Sequence, residues 1–141
     1  MSRRREYLLD TNVVSEVRRK QRDEQVVSFL DSIDSSALFI SVLTLGELRK
    51  GVEVKKRSDP AAAEVLERWV DGVESSYGDR LLGVDVATSR LWGELSADRT
   101  RPVIDTLLAA TAIVHGMTFV TRNARDVAFI EVPVVNPWQK P

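Results

Sequence analysis

Four acidic residues carry the chemistry this chain could perform: Asp10, Glu47, Asp105 and Asp126. Asp10 directly follows the apolar run Tyr7-Leu8-Leu9, and Glu47 comes a short turn after the apolar run Ala37 to Val42. Asp105 opens a helical pattern, while Asp126 lies with Asn123 in a polar turn after Thr118-Phe119-Val120-Thr121. A carboxylate at the end of a buried strand loses hydration and must be paired or neutralised. If the fold draws several together, a hard divalent cation with oxygen ligands relieves their repulsion most directly. Magnesium is the natural candidate. Such an ion can lower the pKa of a bound water and stabilise charge building on a phosphate, and two ions clamp the attacking and leaving oxygens together. The reaction class this supports is hydrolysis of a phosphodiester.

Each acid also has a structural reading. Thr44-x-x-Glu47 has the form of a capping box, a role compatible with ligation. Asp105 stands where a carboxylate meets the positive end of a helix dipole, and Asp126 suits a turn. Asp10 is harder to read that way, because an acid at the end of a buried strand loses hydration unless it is paired, which favours a functional role. His115, just before the helix-capping Gly116, reads as structural, and Trp69, Trp92 and Trp138 as packing residues. Gly46 and Gly51 form no phosphate-cradling loop. G-x-x-x-x-G-K-[ST], G-x-G-x-x-G and G-x-S-x-G are all absent, which removes the main support for triphosphatase, dinucleotide-binding and serine-hydrolase readings.

The elements that must position these residues follow from periodicity. Tyr7 to Leu9 predicts a buried strand breaking into the turn Asp10-Thr11-Asn12 and a helix, and Ala37 to Val42 predicts a second strand. Val26, Phe29, Leu30 and Ile33 form the stripe of a crossover helix between them. A helix is expected from the Thr44 to Glu47 segment to about Lys56, and another after Ser58-Asp59-Pro60, with its stripe Leu66, Val70, Val73 and Tyr77 ending at Gly78. Leu81 to Val86 predicts a weak third strand. Ala87, Leu91 and Leu95 mark a helix, and Ile104 to Val114 another after Arg101-Pro102. Thr118 to Thr121 is the clearest later strand, and Val132 to Val135 a final short one. Strands alternating with helices predict an α/β fold with a mostly parallel sheet of about four to five strands, flanked by helices. In such a sheet ligands bind beyond the carboxyl ends of the strands, where strand order reverses.

Composition narrows the class. At 141 residues with 43% hydrophobic content, the chain suits one domain with a packed core. It has no cysteine, which excludes thiolate metal sites and is expected of a reducing cytoplasm. No apolar run approaches the length of a membrane span, so a cytoplasmic protein is expected. A net charge of -1 is not that of a protein that coats nucleic acid. The cations nevertheless cluster in Arg3-Arg4-Arg5, in Arg18-Arg19-Lys20 with Arg22, and in Lys55-Lys56-Arg57, where a polyanion could dock. Solvated helix ends are the plainer reading of any one cluster.

Leu8-Leu9-Asp10-Thr11-Asn12-Val13-Val14-Ser15-Glu16, Ser41 to Gly51 with Gly46-Glu47-Leu48, and Ile104 to Gly116 resemble the PIN-domain family, with the closest fit to VapC-type toxins. Thr118 to Asn123 and Val135-Asn136-Pro137-Trp138 are similar to the tail of the FitB-like branch. The resemblance runs from about Tyr7 to Trp138. It implies one PIN-like domain over residues 1–141; residues 1–6, basic by sequence and ahead of the resemblance, are expected to form a flexible arm. It further implies a magnesium- or manganese-dependent endoribonuclease, neutralised by a small antitoxin, commonly a homodimer, and a heterotetramer or larger with the antitoxin. Asp10, Glu47 and Asp105 fall on the family's acidic set and on its metal ligands. Many relatives carry Asp directly after the Thr-Arg pair, where this chain has Asn123, so either the second metal site is weaker or Asp126 contributes through water. Thr11, Asn12, Thr121 and Asn123 are carried over as supporting residues around the acids. A PIN-like module that binds RNA or protein without cutting is the alternative, kept open by Asn123. A haloacid-dehalogenase-like phosphatase would need an acid where Asn12 stands, and a metal-free flavodoxin-like binding module predicts no stabilisation by divalent ions.

Overall fold

The computed structural model describes residues 4–139. Five strands, β1 (Tyr7–Leu9), β2 (Leu38–Ser41), β3 (Leu81–Leu82), β4 (Thr118–Val120) and β5 (Val134–Val135), form one sheet in the order β3-β2-β1-β4-β5. Every pairing is parallel, with Tyr7 beside Leu38, Leu9 beside Val120, Ile40 beside Leu81 and Phe119 beside Val134. Parallel neighbours cannot be joined by tight hairpins, so helices make most of the crossovers. These are α1 (Thr11–Glu16), α2 (Glu24–Asp31), α3 (Val42–Ser58), α4 (Pro60–Tyr77), α5 (Val86–Ser96) and α6 (Val103–Val114).

Alternation along each strand divides the core. Leu9 and Val120 point to one face, with Val13, Val26, Ile40, Val52 and Val70; Leu8 and Phe119 point to the other, with Leu108, Ala109 and Ala112. Helix α6 lies close to its face because alanines 109, 110 and 112 are fully buried there. It ends at His115, and Gly116 then takes φ 67°, a left-handed cap that lets the Met117 N–H reach Ala112 O at 2.8 Å. Trp69 and Trp138 pack against the first face.

Two expected boundaries move. The helix after β2 begins at Val42, because the Ser41 hydroxyl accepts the Leu43 N–H at 3.0 Å and caps it, and it runs to Ser58. Thr44 is therefore inside α3 and fully buried, not its cap. The third strand stops at Leu82 because the Asp85 carboxylate accepts the Thr88 N–H at 2.8 Å and starts α5 at Val86. The expected arm, residues 1–6, lies in part outside the described residues. Within its described part, Arg4 donates to Ser36 Oγ at 2.8 Å, and Glu6 O accepts the Thr118 N–H at 3.0 Å. Among the described residues no helix is long and apolar enough to cross a membrane.

Candidate active site

Strand addition proceeds outward from β1 through β2 to β3, then resumes on the other side of β1 with β4 and β5. The reversal lies between β1 and β4, and Asp10 and Thr121 are the first residues beyond their carboxyl ends. The Asp10 N–H continues the ladder to Val120 O at 2.9 Å, which locks its backbone. Its side chain, only 4% exposed, caps α1: Oδ1 accepts the Thr11 N–H at 2.7 Å and Oδ2 accepts the Thr121 hydroxyl at 2.7 Å. Thr121 is itself buried, and its Oγ1 accepts the Asn123 N–H at 3.0 Å.

Glu47 comes from the second turn of α3. The Thr11 hydroxyl donates to Glu47 Oε1 at 2.5 Å and makes a 3.2 Å hydroxyl contact with buried Thr44. The capping-box expectation for Glu47 is thus overturned: Ser41 caps the helix, and Glu47 faces α1 through Thr11. Asp105, in the first turn of α6, is half-buried, while Asp126 is exposed on the 3-10 turn Ala124–Val127.

Electrostatics ties these acids into one set. Burial raises the pKa of Asp10, the bonds from Thr121 and Thr11 oppose that rise, and the nearby charge of Glu47 adds to it. Burial also raises Asp105, and the charges of Asp10, Asp126 and Glu47 push it in the same direction. Among the described residues no ion pair neutralises any of the four. Asp126 is therefore the fourth acid whose field reaches the site. Asn123 contributes its backbone N–H to Thr121, and its exposed side chain makes no capping bond. Asn12 Oδ1 is buried with no hydrogen-bond partner, a polar atom one residue beyond the Thr11 that joins Asp10 to Glu47. Sequence reading missed that Ser41, and not Thr44, starts α3. The available signal was a hydroxyl directly after an apolar strand.

An open parallel α/β domain with unneutralised carboxylates at its switch point is the protein class defined by this fold and site. The family model described as the PIN domain matches residues 7–134, and the chain belongs to the PIN-domain family. It is 31% identical over 140 residues to the toxin FitB of Neisseria gonorrhoeae, covering 93% of this chain and 97% of that protein. To a VapC ribonuclease of Sinorhizobium fredii it is 30% identical over 142 residues, with 94% and 97% covered. A solved structure of FitAB bound to a DNA fragment superposes with a TM-score of 0.86 at 30% identity, over 96% of this chain and 97% of that one.

Proposed function

We propose that this protein is a magnesium- or manganese-dependent endoribonuclease, the toxin of a toxin–antitoxin pair working in the cytoplasm. The observation that carries the reading is Asp10: a buried carboxylate, held by Thr121 and Thr11 at the switch point, in the field of other acids and with no ion-pair partner among the described residues. Relatives named as ribonucleases and as a toxin support the activity, and solved complexes of relatives with their antitoxins support a small protein partner.

The donors suit a hard cation. All are oxygens, and the raised pKa values of Asp10 and Asp105 are what an added positive charge would relieve. Among the described residues no three of these side chains form a ready-made cage. Magnesium keeps several waters and takes only one or two carboxylates directly, so its binding does not require such a cage. Asp10, Glu47 and Asp105 would hold it, with Asp126 acting at longer range. Bound there, the ion would supply activation of water and neutralisation of charge on the phosphate. Thr121 and Thr11 hold Asp10 in one orientation, and Thr11 also fixes Glu47.

The test is cleavage of a mixed structured RNA pool by the antitoxin-free chain with magnesium, with manganese and with chelator. Ion-dependent cleavage that vanishes in Asp10→Asn supports the reading. Cleavage at the parent rate by Asp10→Asn would falsify the site assignment. RNA or protein binding without ion-dependent cleavage would favour the non-cutting module.

A further inference from the structure

Beside the acids lies a groove of about 340 Å³ between α1, α3 and α4, large enough for one nucleotide-sized group. Thr11 and Glu47 form its near wall, so it abuts the candidate active site. Gly51, in the middle of α3, forms part of its floor, and a Cβ added there would meet no atom within 4 Å. Glycine inside a helix costs about 1 kcal/mol relative to alanine, and here it leaves the groove open.

The rim is cationic and the wall aromatic. Arg18 and Arg19 line it, with the Arg18 guanidinium 5.9 Å from the centre of the Trp69 ring. Buried Glu16 sets the turn that carries them: one oxygen accepts from Arg19 at 3.1 Å, and the other accepts the Asp23 N–H at 2.8 Å. Among the described residues no acid pairs with Arg18, which leaves its charge available to a ligand. Single-stranded nucleic acid is held by such a combination, cations on the backbone and flat π faces on the bases.

We infer that this groove is the subsite for the nucleotide next to the scissile phosphate of a single-stranded RNA segment. Arg18 and Arg19 take its phosphate and Trp69 its base. The inference rests on the ribonuclease reading of the acid site. Charge complementarity argues for RNA over a protein segment, because a guanidinium with no acidic partner among the described residues lines a groove with one aromatic wall.

The experiment uses the full chain carrying Asp10→Asn to prevent cutting, and an end-labelled single-stranded RNA of roughly ten nucleotides, followed by fluorescence anisotropy. Adding Gly51→Leu fills the groove from an open helix position. It should melt no lower than the parent and bind about tenfold more weakly. Arg18→Ala should weaken binding and flatten its salt dependence. Trp69→Ala should do so without that flattening, with most of the affinity restored by Trp69→Phe. With Asp10 intact, Gly51→Leu should raise KM for cleavage and leave kcat within about twofold.

Parent-level RNA binding by both Gly51→Leu and Arg18→Ala, while the unsubstituted chain still cleaves, overturns the subsite and leaves the nuclease reading standing. So does a result in which these variants keep RNA affinity but escape a neutralising protein, since the groove then belongs to that protein. Absence of both cleavage and RNA binding by the unsubstituted chain overturns the subsite together with the nuclease reading.

Discussion

Asp10 Oδ2 and Thr121 Oγ1 lie 2.7 Å apart although 111 positions separate them in the chain, and this bond joins the ends of β1 and β4 where strand order reverses. It holds one carboxylate oxygen while the Thr11 N–H holds the other, so Asp10 reaches the site in a single orientation. The hydroxyl also stabilises the charged form of a carboxyl whose pKa burial raises.

Thr121→Val keeps the shape and removes the donor. Cleavage should fall by about 10- to 100-fold, and the acidic limb of the pH–rate profile should move to higher pH, because Asp10 then ionises less readily. Thr121→Ser should recover most of both. A profile that scales down without moving would show that the hydroxyl acts only on the fold.

Asp105→Asn isolates the cost of crowding the acids. The folded-state pKa of Asp105 lies above its ordinary 3.8, so its stabilising contribution is complete below that value and is lost as pH rises through the folded pKa. In chelator, the variant should melt close to the parent at pH near 3 and higher than the parent at pH 7. Thermal melts across that range check the sign, and a variant melting lower at neutral pH would contradict it.

Divalent ions should stabilise the parent and not the variant that lacks the Asp10 carboxylate. An ion that binds the folded state at a hundredfold excess over its Kd adds about 2.7 kcal/mol to stability. Magnesium or manganese should therefore raise the melting temperature of the parent and do little for Asp10→Asn, whose RNA cleavage should fall by about a hundredfold or more. Differential scanning with an ion titration reads this without any substrate.

Glu47→Gln and Ser41→Ala separate catalysis from capping. Ser41→Ala should cost about 1 kcal/mol of stability with cleavage largely retained, because it removes the acceptor for the Leu43 N–H. Glu47→Gln should leave the helix intact and depress cleavage. If Glu47→Gln destabilises the chain as much as Ser41→Ala, Glu47 serves the fold through its bond with Thr11 and its role in cleavage is not separable from that.

Asn123→Asp and Asp126→Asn test the fourth acid. Asp126 raises the pKa of Asp105, so Asp126→Asn should increase the ion concentration needed for half-maximal cleavage. Asn123→Asp should decrease it. An unchanged ion requirement in Asp126→Asn would confine that residue to its turn.

Much of the frame was legible because local rules and burial agree. Three apolar residues before Asp10, the stripe on α4 and the Gly116 cap each have one satisfactory backbone solution, and the structure adopts it. Boundaries that turned on competing caps were not legible. Thr44 and Ser41 both offer a hydroxyl before the same helix, and only burial of Thr44 against Thr11 decides that Ser41 caps. Likewise Leu81 to Val86 is apolar enough for a longer strand, until Asp85 captures the Thr88 N–H.

By itself the sequence determined the alternation of strands and helices and the placing of Asp10, Glu47 and Asp105 after strands or at a helix start. Those features depend on residue types a few positions apart. Only the tertiary structure decided that Thr121 bonds Asp10, that Glu47 answers Thr11 and not Thr44, and that Asp126 reaches Asp105. The same holds for the groove where Arg18 meets Trp69. The physical reason is that strand order in a parallel sheet is set by how helices cover its two faces. Which strand ends become neighbours is therefore fixed by packing between distant segments, and no local pattern encodes it.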